Sequence, residues 1–413
     1  MPGSLVGDDF VMSEIADFGT IILVVSTGFG LALLWTKLTE RLSVPAPAIF
    51  LLAAAAASSI WPSLYQHTPI RTVERVAVVA LVLILFNGGL DIGWSKFRTS
   101  ILPIVALGVF GTFITAGIVM LFAHFALGFS WMLAGVAGAA LAPTDPVVMF
   151  SVLGNHVIGG RSGTTLEGEA GLNDPAGIAL MIGMIELATH AGASAAVVVR
   201  EFAVEMSVGA ALGVAGGLLL AAILRRIQLP SASLHPLLAL VLAAALYGST
   251  SLLHGSGFLA VFLAGVIVGG STPRRKINIT SLSGPLASLA EVAVFVALGL
   301  TVALSSLSWR TWFDGVLLML ALAIVARPVT VIVTLAEARF SWAERAFMAW
   351  SGLKGAVSIL LAAFAVLERV EGAKSIYGVV FVVVLLSLVL QGTLVGAVAR
   401  RLGVPIRARL SAA

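Results

Sequence analysis

The chain is predicted to be an all-α polytopic membrane protein, and three observations carry that expectation. Of its 413 residues 59% are hydrophobic and 11% charged, with a mean hydropathy of +1.08, whereas an ordinary soluble domain has about 25% charged residues. Apolar runs of about 20 residues, the length of a bilayer-spanning helix, recur along the sequence. The runs do not alternate apolar and polar positions, which excludes an outer-membrane barrel.

Thirteen spans are read, at roughly 18–36, 45–60, 73–90, 101–127, 131–153, 164–188, 198–224, 235–253, 257–271, 285–304, 311–336, 344–367 and 376–399. The second and ninth are short for a spanning helix. The acidic N-terminus MPGSLVGDDF has no basic region, so no cleavable signal peptide is expected and the first apolar run is the first span. With no cysteine there is no disulfide, no thiolate metal site and no Cys nucleophile. The net charge of +4 does not point to nucleic acid. Sixteen Lys and Arg, including Lys96, Arg98, Arg225, Arg226, Arg400 and Arg401, fall in loops on one side and six on the other, from Arg71 to Lys374. By the positive-inside rule the first side is cytoplasmic, which places the N-terminus outside and the C-terminus inside a bacterial inner membrane. Trp61, Trp94, Trp131, Trp309, Trp312 and Trp342 fall near span ends as an aromatic belt.

Two spans are broken at matching places, the fifth by Pro143-Thr144-Asp145-Pro146 and the twelfth by SGLKGAVS around Gly352, Lys354 and Gly355. Paired interruptions of this kind mark an inverted-repeat transporter with its site at the midplane. One transmembrane domain, 1–413, then consists of a first six-helix repeat (1–190), a linker helix (191–230) and a second repeat (231–413). The odd connector inverts the second repeat.

Chemistry concentrates in the fifth and sixth spans. Pro146 leaves the carbonyl of Ala142 without its helical donor, Thr144 adds a hydroxyl and Asp145 a carboxylate, a set of oxygens suited to a hard monovalent cation such as Na+ or K+. A Pro kink capped by Thr and Asp is the bland reading. In TTLEGEAGLNDPAG, Asp174 shares a helix face with Glu167, and Asn173 with Glu169. Pro175 frees the carbonyl of Gly171. A purely structural carboxylate normally comes with a fixed cationic partner, which Asp174 lacks in the sequence. Two basic residues lie inside spans. Arg327 cannot titrate and must be paired, with Glu167 or Glu169. Lys354 balances the dipoles of the broken helix or pairs with a carboxylate such as Asp91. Asn87 in LFNGGLDIGW is a modest polar signal, GSTPRRKI at 270–277 reads as a basic loop, no histidine sits mid-span, and no GxxxxGK[ST] occurs.

Together these segments resemble the cation:proton antiporter superfamily: TDP in one span, EGEAGLNDP in the next, RP five spans later and GLKGAVS in the twelfth. The Asn173-Asp174 pair is similar to its electroneutral branch, which holds the NhaP-type bacterial sodium/proton antiporters and the animal sodium/proton exchangers. The resemblance implies thirteen helices, a core domain moving against a dimerisation domain, and a homodimer. It also implies ion-site roles for Thr144, Asp145, Glu169, Asn173 and Asp174, with Arg327 as the partner of Glu169. Three positions depart from the pattern: Ala170 where Ser is frequent, Asn87 where Glu is common and Lys354 where Arg is common. They keep potassium/proton exchange open beside sodium/proton exchange.

The activity expected is electroneutral exchange through a single site, with Asp174 either protonated or ionised beside a bound cation. No cofactor is needed; sodium or potassium and the proton are cargo, lipid is the solvent, and no nucleic acid is involved. A remote alternative is an intramembrane aspartyl protease using Asp145 and Asp174 as a dyad, but neither lies in a GxGD-like context. A cation channel leaves the inverted broken helices unexplained.

Overall fold

The computed structural model describes residue 30 and residues 44–66, 68–145, 156–190, 192–227, 229–231, 234–270, 273–404 and 406–408. The first predicted span and the stretch of the fifth from Pro146 onward lie outside the described residues.

The other predicted spans are described and helical, the twelfth with a non-helical break at 351–355. Helix α1 (Ala46–Ile60) is indeed short, and is followed by a single turn at Pro62–Gln66. Helix α2 (Ile70–Thr99) contains one non-helical residue, Gly93 at φ 64°, where only a residue without Cβ tolerates both the left-handed backbone and the Gly269 carbonyl pressed against it. Helices α3 (Ile101–Phe125) and α4 (Trp131–Leu141) lead into β1 (His156–Ile158) and α5 (Gly160–Thr189). The expected linker is the long helix α6 (Ala195–Arg226). Then come α7 (Leu234–Leu252), α8 (Gly257–Gly269), α9 (Pro273–Leu300), α10 (Trp309–Thr334), α11 (Trp342–Trp350), α12 (Ala356–Leu367), α13 (Ala373–Arg401) and β2 (Ile406–Ala408).

Three features differ from the sequence reading. Residues 273–277 are not loop: α9 starts at Pro273, where a missing N–H is tolerated, and carries Pro285 inside it. Spans α3, α10 and α13 each contain a π turn, at Ala106–Phe110, Leu322–Ala326 and Ser387–Gly392, which no sequence pattern announces. The chain is also not wholly helical, since β1 and β2 pair antiparallel with Val157 opposite Arg407. This small sheet ties the segment after α13 to the approach of α5.

Packing sorts the helices into two groups. One has α3, α4, α5 and α10 to α13 against one another; in the other, α2 lies along α8 and α9, with α1, α6 and α7 beside them, and the long α6 bridges the two by also packing on α5. The first group takes three spans from each half of the chain. Its centre is almost completely buried, with Leu141, Phe347, Leu361 and Phe381 in the core. Trp61, Trp94, Trp131, Trp309 and Trp342 are exposed on the outside, as interfacial rings should be.

Candidate ion-binding site

The two interrupted spans meet at their breaks. Helix α4 ends at Leu141 and Pro143, Thr144 and Asp145 follow as non-helical backbone. Opposite, α11 ends at Trp350 and α12 begins at Ala356. The Asp145 N–H donates to the Leu353 carbonyl at 2.8 Å, joining one break to the other. Gly355, the N-cap of α12, lies so close to the Asp145 carboxylate that a Cβ there would overlap it. Asp145 therefore rests on the positive end of α12, where a helix N-terminus favours an anion. Gly355→Ala is expected to cost about 1–3 kcal/mol by overpacking. A melting temperature equal to wild type would show that Asp145 has room to move aside.

Helix α5 brings Glu169, Asn173 and Asp174 to this crossing, all buried. Arg327, at the turn of α10 that follows its π segment, forms a bidentate pair with Glu169 at 2.5 and 2.8 Å. Its Nε also donates to the Met348 carbonyl in the last turn of α11, at 3.3 Å. Of the two partners the sequence offered, the hydrogen bonds single out Glu169; Glu167 is half-buried on the same helix. Thr144 Oγ1 donates to Glu169 Oε1 at 3.2 Å and accepts from Asn173 Nδ2 at 2.7 Å. That amide also donates to the Thr144 carbonyl at 3.4 Å. With its nitrogen engaged, Asn173 has Oδ1 left over. Among the described residues, neither Asn173 Oδ1 nor Asp174 Oδ1 has a hydrogen-bond partner, although both atoms are buried. Buried polar atoms are rarely left this way, because an unpaired one costs about 1–3 kcal/mol. A carboxylate oxygen and an amide oxygen from consecutive residues thus have unused acceptor capacity inside the protein.

Lys354 is placed differently from one of its two expectations. Its Nζ donates to the carbonyls of Ala142 and Pro143 at 3.1 and 2.9 Å. Ala142 is the residue whose carbonyl Pro146 deprives of a helical donor. The lysine caps the broken α4, answering the negative end of a helix with a cation. Its backbone N–H donates to Ser387 Oγ, which in turn donates to Gln391 Oε1 in the π turn of α13. Asp91, the other expected partner of this lysine, accepts from Asn87 Nδ2 at 3.2 Å, and Asn87 Oδ1 accepts from Ser283 of α9 at 2.9 Å.

The crossing therefore holds three carboxylates, Asp145, Glu169 and Asp174, and two cations, Arg327 and Lys354. Three minus two leaves one negative charge when all are ionised. Sequence reasoning missed Ser387 and Gln391, whose contribution depends on the π turn, and also Glu291. The last was findable, since it is a carboxylate within the 22-residue apolar span Ile279–Leu300.

Comparison with known proteins bears on the family and the fold. The family described as sodium/hydrogen exchanger, transmembrane, matches residues 28–401. The chain is 32% identical over 385 residues to a protein named K(+)/H(+) antiporter NhaP from Alkalimonas amylolytica, covering 92% of this chain and 66% of that one. It therefore spans just under two thirds of that relative's length. It is 25% identical over 414 residues to the Na(+)/H(+) antiporter ApNhaP of Aphanothece halophytica, covering 96% and 76%. The structure of the sodium proton antiporter MjNhaP1 from Methanocaldococcus jannaschii at pH 8 has the same fold, with a TM-score of 0.76, 24% identity, and coverage of 93% and 99%. A family match over nearly the whole chain, on a fold in which the end of α4 meets the break between α11 and α12, establishes that this chain belongs to the sodium/hydrogen exchanger family.

Proposed function

We propose that the protein exchanges a monovalent cation, sodium in the first instance, for a proton without moving net charge. The observation that carries this reading is Asp174: buried, with an unpartnered oxygen, in a site that sums to one negative charge. Such a site is neutralised by one proton on Asp174 or by one cation beside it, and the two exclude each other. Asp174 is the exchanging group, with Asn173 Oδ1 beside it. Asp145 stays ionised on the α12 terminus and completes the cation's oxygen set together with Thr144. Arg327 and Glu169 hold α5, α10 and α11 together, and Lys354 closes the broken α4. Alternating access then comes from the group of helices around the site moving against the other group.

Several further expectations belong to the same reading: inverted repeats at 1–190 and 231–413 about the α6 linker, a homodimer, an inner-membrane location, and a cytoplasmic C-terminus. No cofactor and no nucleic acid enter it. Membership of an exchanger family removes the protease reading. Potassium is the second reading for the cation, favoured by the name of the relative at 32% identity and by Ala170, Asn87 and Lys354.

The test is purified protein in vesicles with an acid interior and a pH-sensitive dye. Addition of sodium, potassium or lithium outside is expected to collapse the pH gradient, and the half-saturating concentrations rank the three ions. No dye recovery with any of them would overturn the proposal. Electroneutrality gives a separate expected result: clamping the potential at zero and then at a large negative value leaves the reversal point unchanged. Movement of the reversal point with voltage would mean that more than one proton crosses per cation, since one elementary charge across 100 mV is worth about 2.3 kcal/mol.

A further inference from the structure

A fourth carboxylate lies near the crossing and has no role in the exchange described above. Glu291 is in the membrane-spanning part of α9, which packs along α1 and α2 and also touches α12. Its Oε1 is buried and has no hydrogen-bond partner among the described residues, while the residue as a whole keeps partial exposure. The α12 that α9 touches is the helix whose N-cap, Gly355, abuts the Asp145 carboxylate. A carboxylate whose role was to join helices would be matched to a donor, as Glu169 is to Arg327.

The surroundings of Glu291 are polar in one direction. Ser283, two turns earlier on α9, donates to Asn87, and Asn87 donates to Asp91, which lies near the end of α2 that carries Lys96 and Arg98. Eight residues of helix separate Ser283 from Glu291, a rise of about 12 Å. Toward its other end α9 packs closely on α1, with Gly299 against Leu51 and Ala54. Along α2 and α9, Asp91, Asn87, Ser283 and Glu291 thus follow in order from the end of α2 that carries Lys96 and Arg98. An unpaired carboxylate with part of its surface reachable is suited to hold a partly dehydrated monovalent cation by charge.

We propose that Glu291 is a second cation-docking residue, which receives the transported cation from the α2–α9 seam and passes it to Asp145 and Asp174. This rests on the exchange reading above. It assigns Glu291 to cation affinity and not to the proton-carrying step, which stays with Asp174.

The experiment compares wild type, Glu291→Gln and Glu291→Asp in proteoliposomes, measuring the cation concentration for half-maximal exchange, the maximal rate and the melting temperature of each. Glu291→Gln keeps shape and removes charge. It is expected to raise the half-saturating sodium or potassium concentration about tenfold, the effect of one unit charge acting across partly wet protein. The maximal rate should remain within about twofold, and Glu291→Asp should restore most of the affinity. An unchanged half-saturating concentration in Glu291→Gln would overturn the proposal. So would a lower melting temperature and lower maximal rate with affinity intact, which mark a structural role. If Glu291→Gln fails to fold, Glu291→Asp decides: a shorter carboxylate with wild-type affinity and stability supports docking, and one with wild-type affinity but lowered stability sinks it. Absence of exchange in wild type is a distinct outcome, and removes the exchange reading itself together with this extension.

Discussion

Asp174→Asn is expected to abolish cation-dependent proton flux while leaving the protein folded. The substitution keeps the volume and one carbonyl oxygen but removes both the charge and the proton-carrying oxygen. Because Asp174 Oδ1 has no hydrogen-bond partner among the described residues, the folded state loses no hydrogen bond there. Burying a charge is costly, so the neutral amide should leave the melting temperature equal or higher. The outcome is therefore a separation of stability from activity: normal yield, normal or raised melting temperature, and flux at the level of empty vesicles. Retained flux would transfer the exchange step to another carboxylate, with Asp145 first in line. A protein that no longer folds would place Asp174 among the structural groups, beside Glu169.

The second large effect is expected at Arg327 and Glu169. Both are buried, and the pair is bidentate. Removing one member leaves the other charged and unpaired, at about 3–5 kcal/mol. Glu169→Ala also deprives Thr144 of its acceptor, and Arg327→Ala leaves the Met348 carbonyl without its donor. Each single variant should thus show a much reduced melting temperature. The double variant Arg327→Ala/Glu169→Ala should lose clearly less than the sum, because neither charge is then stranded. Strict additivity of the two losses would show that the contact contributes nothing to stability. Low activity is expected in all three variants, since α5, α10 and α11 lose their common tie, so the thermal measurement and not the flux is the informative one.

The sequence by itself determined the class of the molecule and most of its spans, because a bilayer imposes a length and a composition that any apolar run must meet. It also determined which residues to examine. Thr144, Asp145, Glu169, Asn173, Asp174, Arg327 and Lys354 stand out since polar and ionisable groups are expensive inside a membrane. Glu291 met the same criterion, as an acid in an apolar span, without a flanking motif to draw attention to it. Only the tertiary structure decided who meets whom. That Arg327 takes Glu169, that Lys354 caps the carbonyls of Ala142 and Pro143, and that Asp145 lies on the N-terminus of α12 all depend on helices remote in sequence crossing at their breaks. The π turns and the start of α9 at Pro273 were equally illegible, because one extra residue in a helical turn leaves hydrophobicity unchanged and a Pro at a first turn reads like a Pro in a loop. Span identity follows from local free energy of transfer, whereas partner choice follows from packing of segments hundreds of residues apart, which no local pattern encodes.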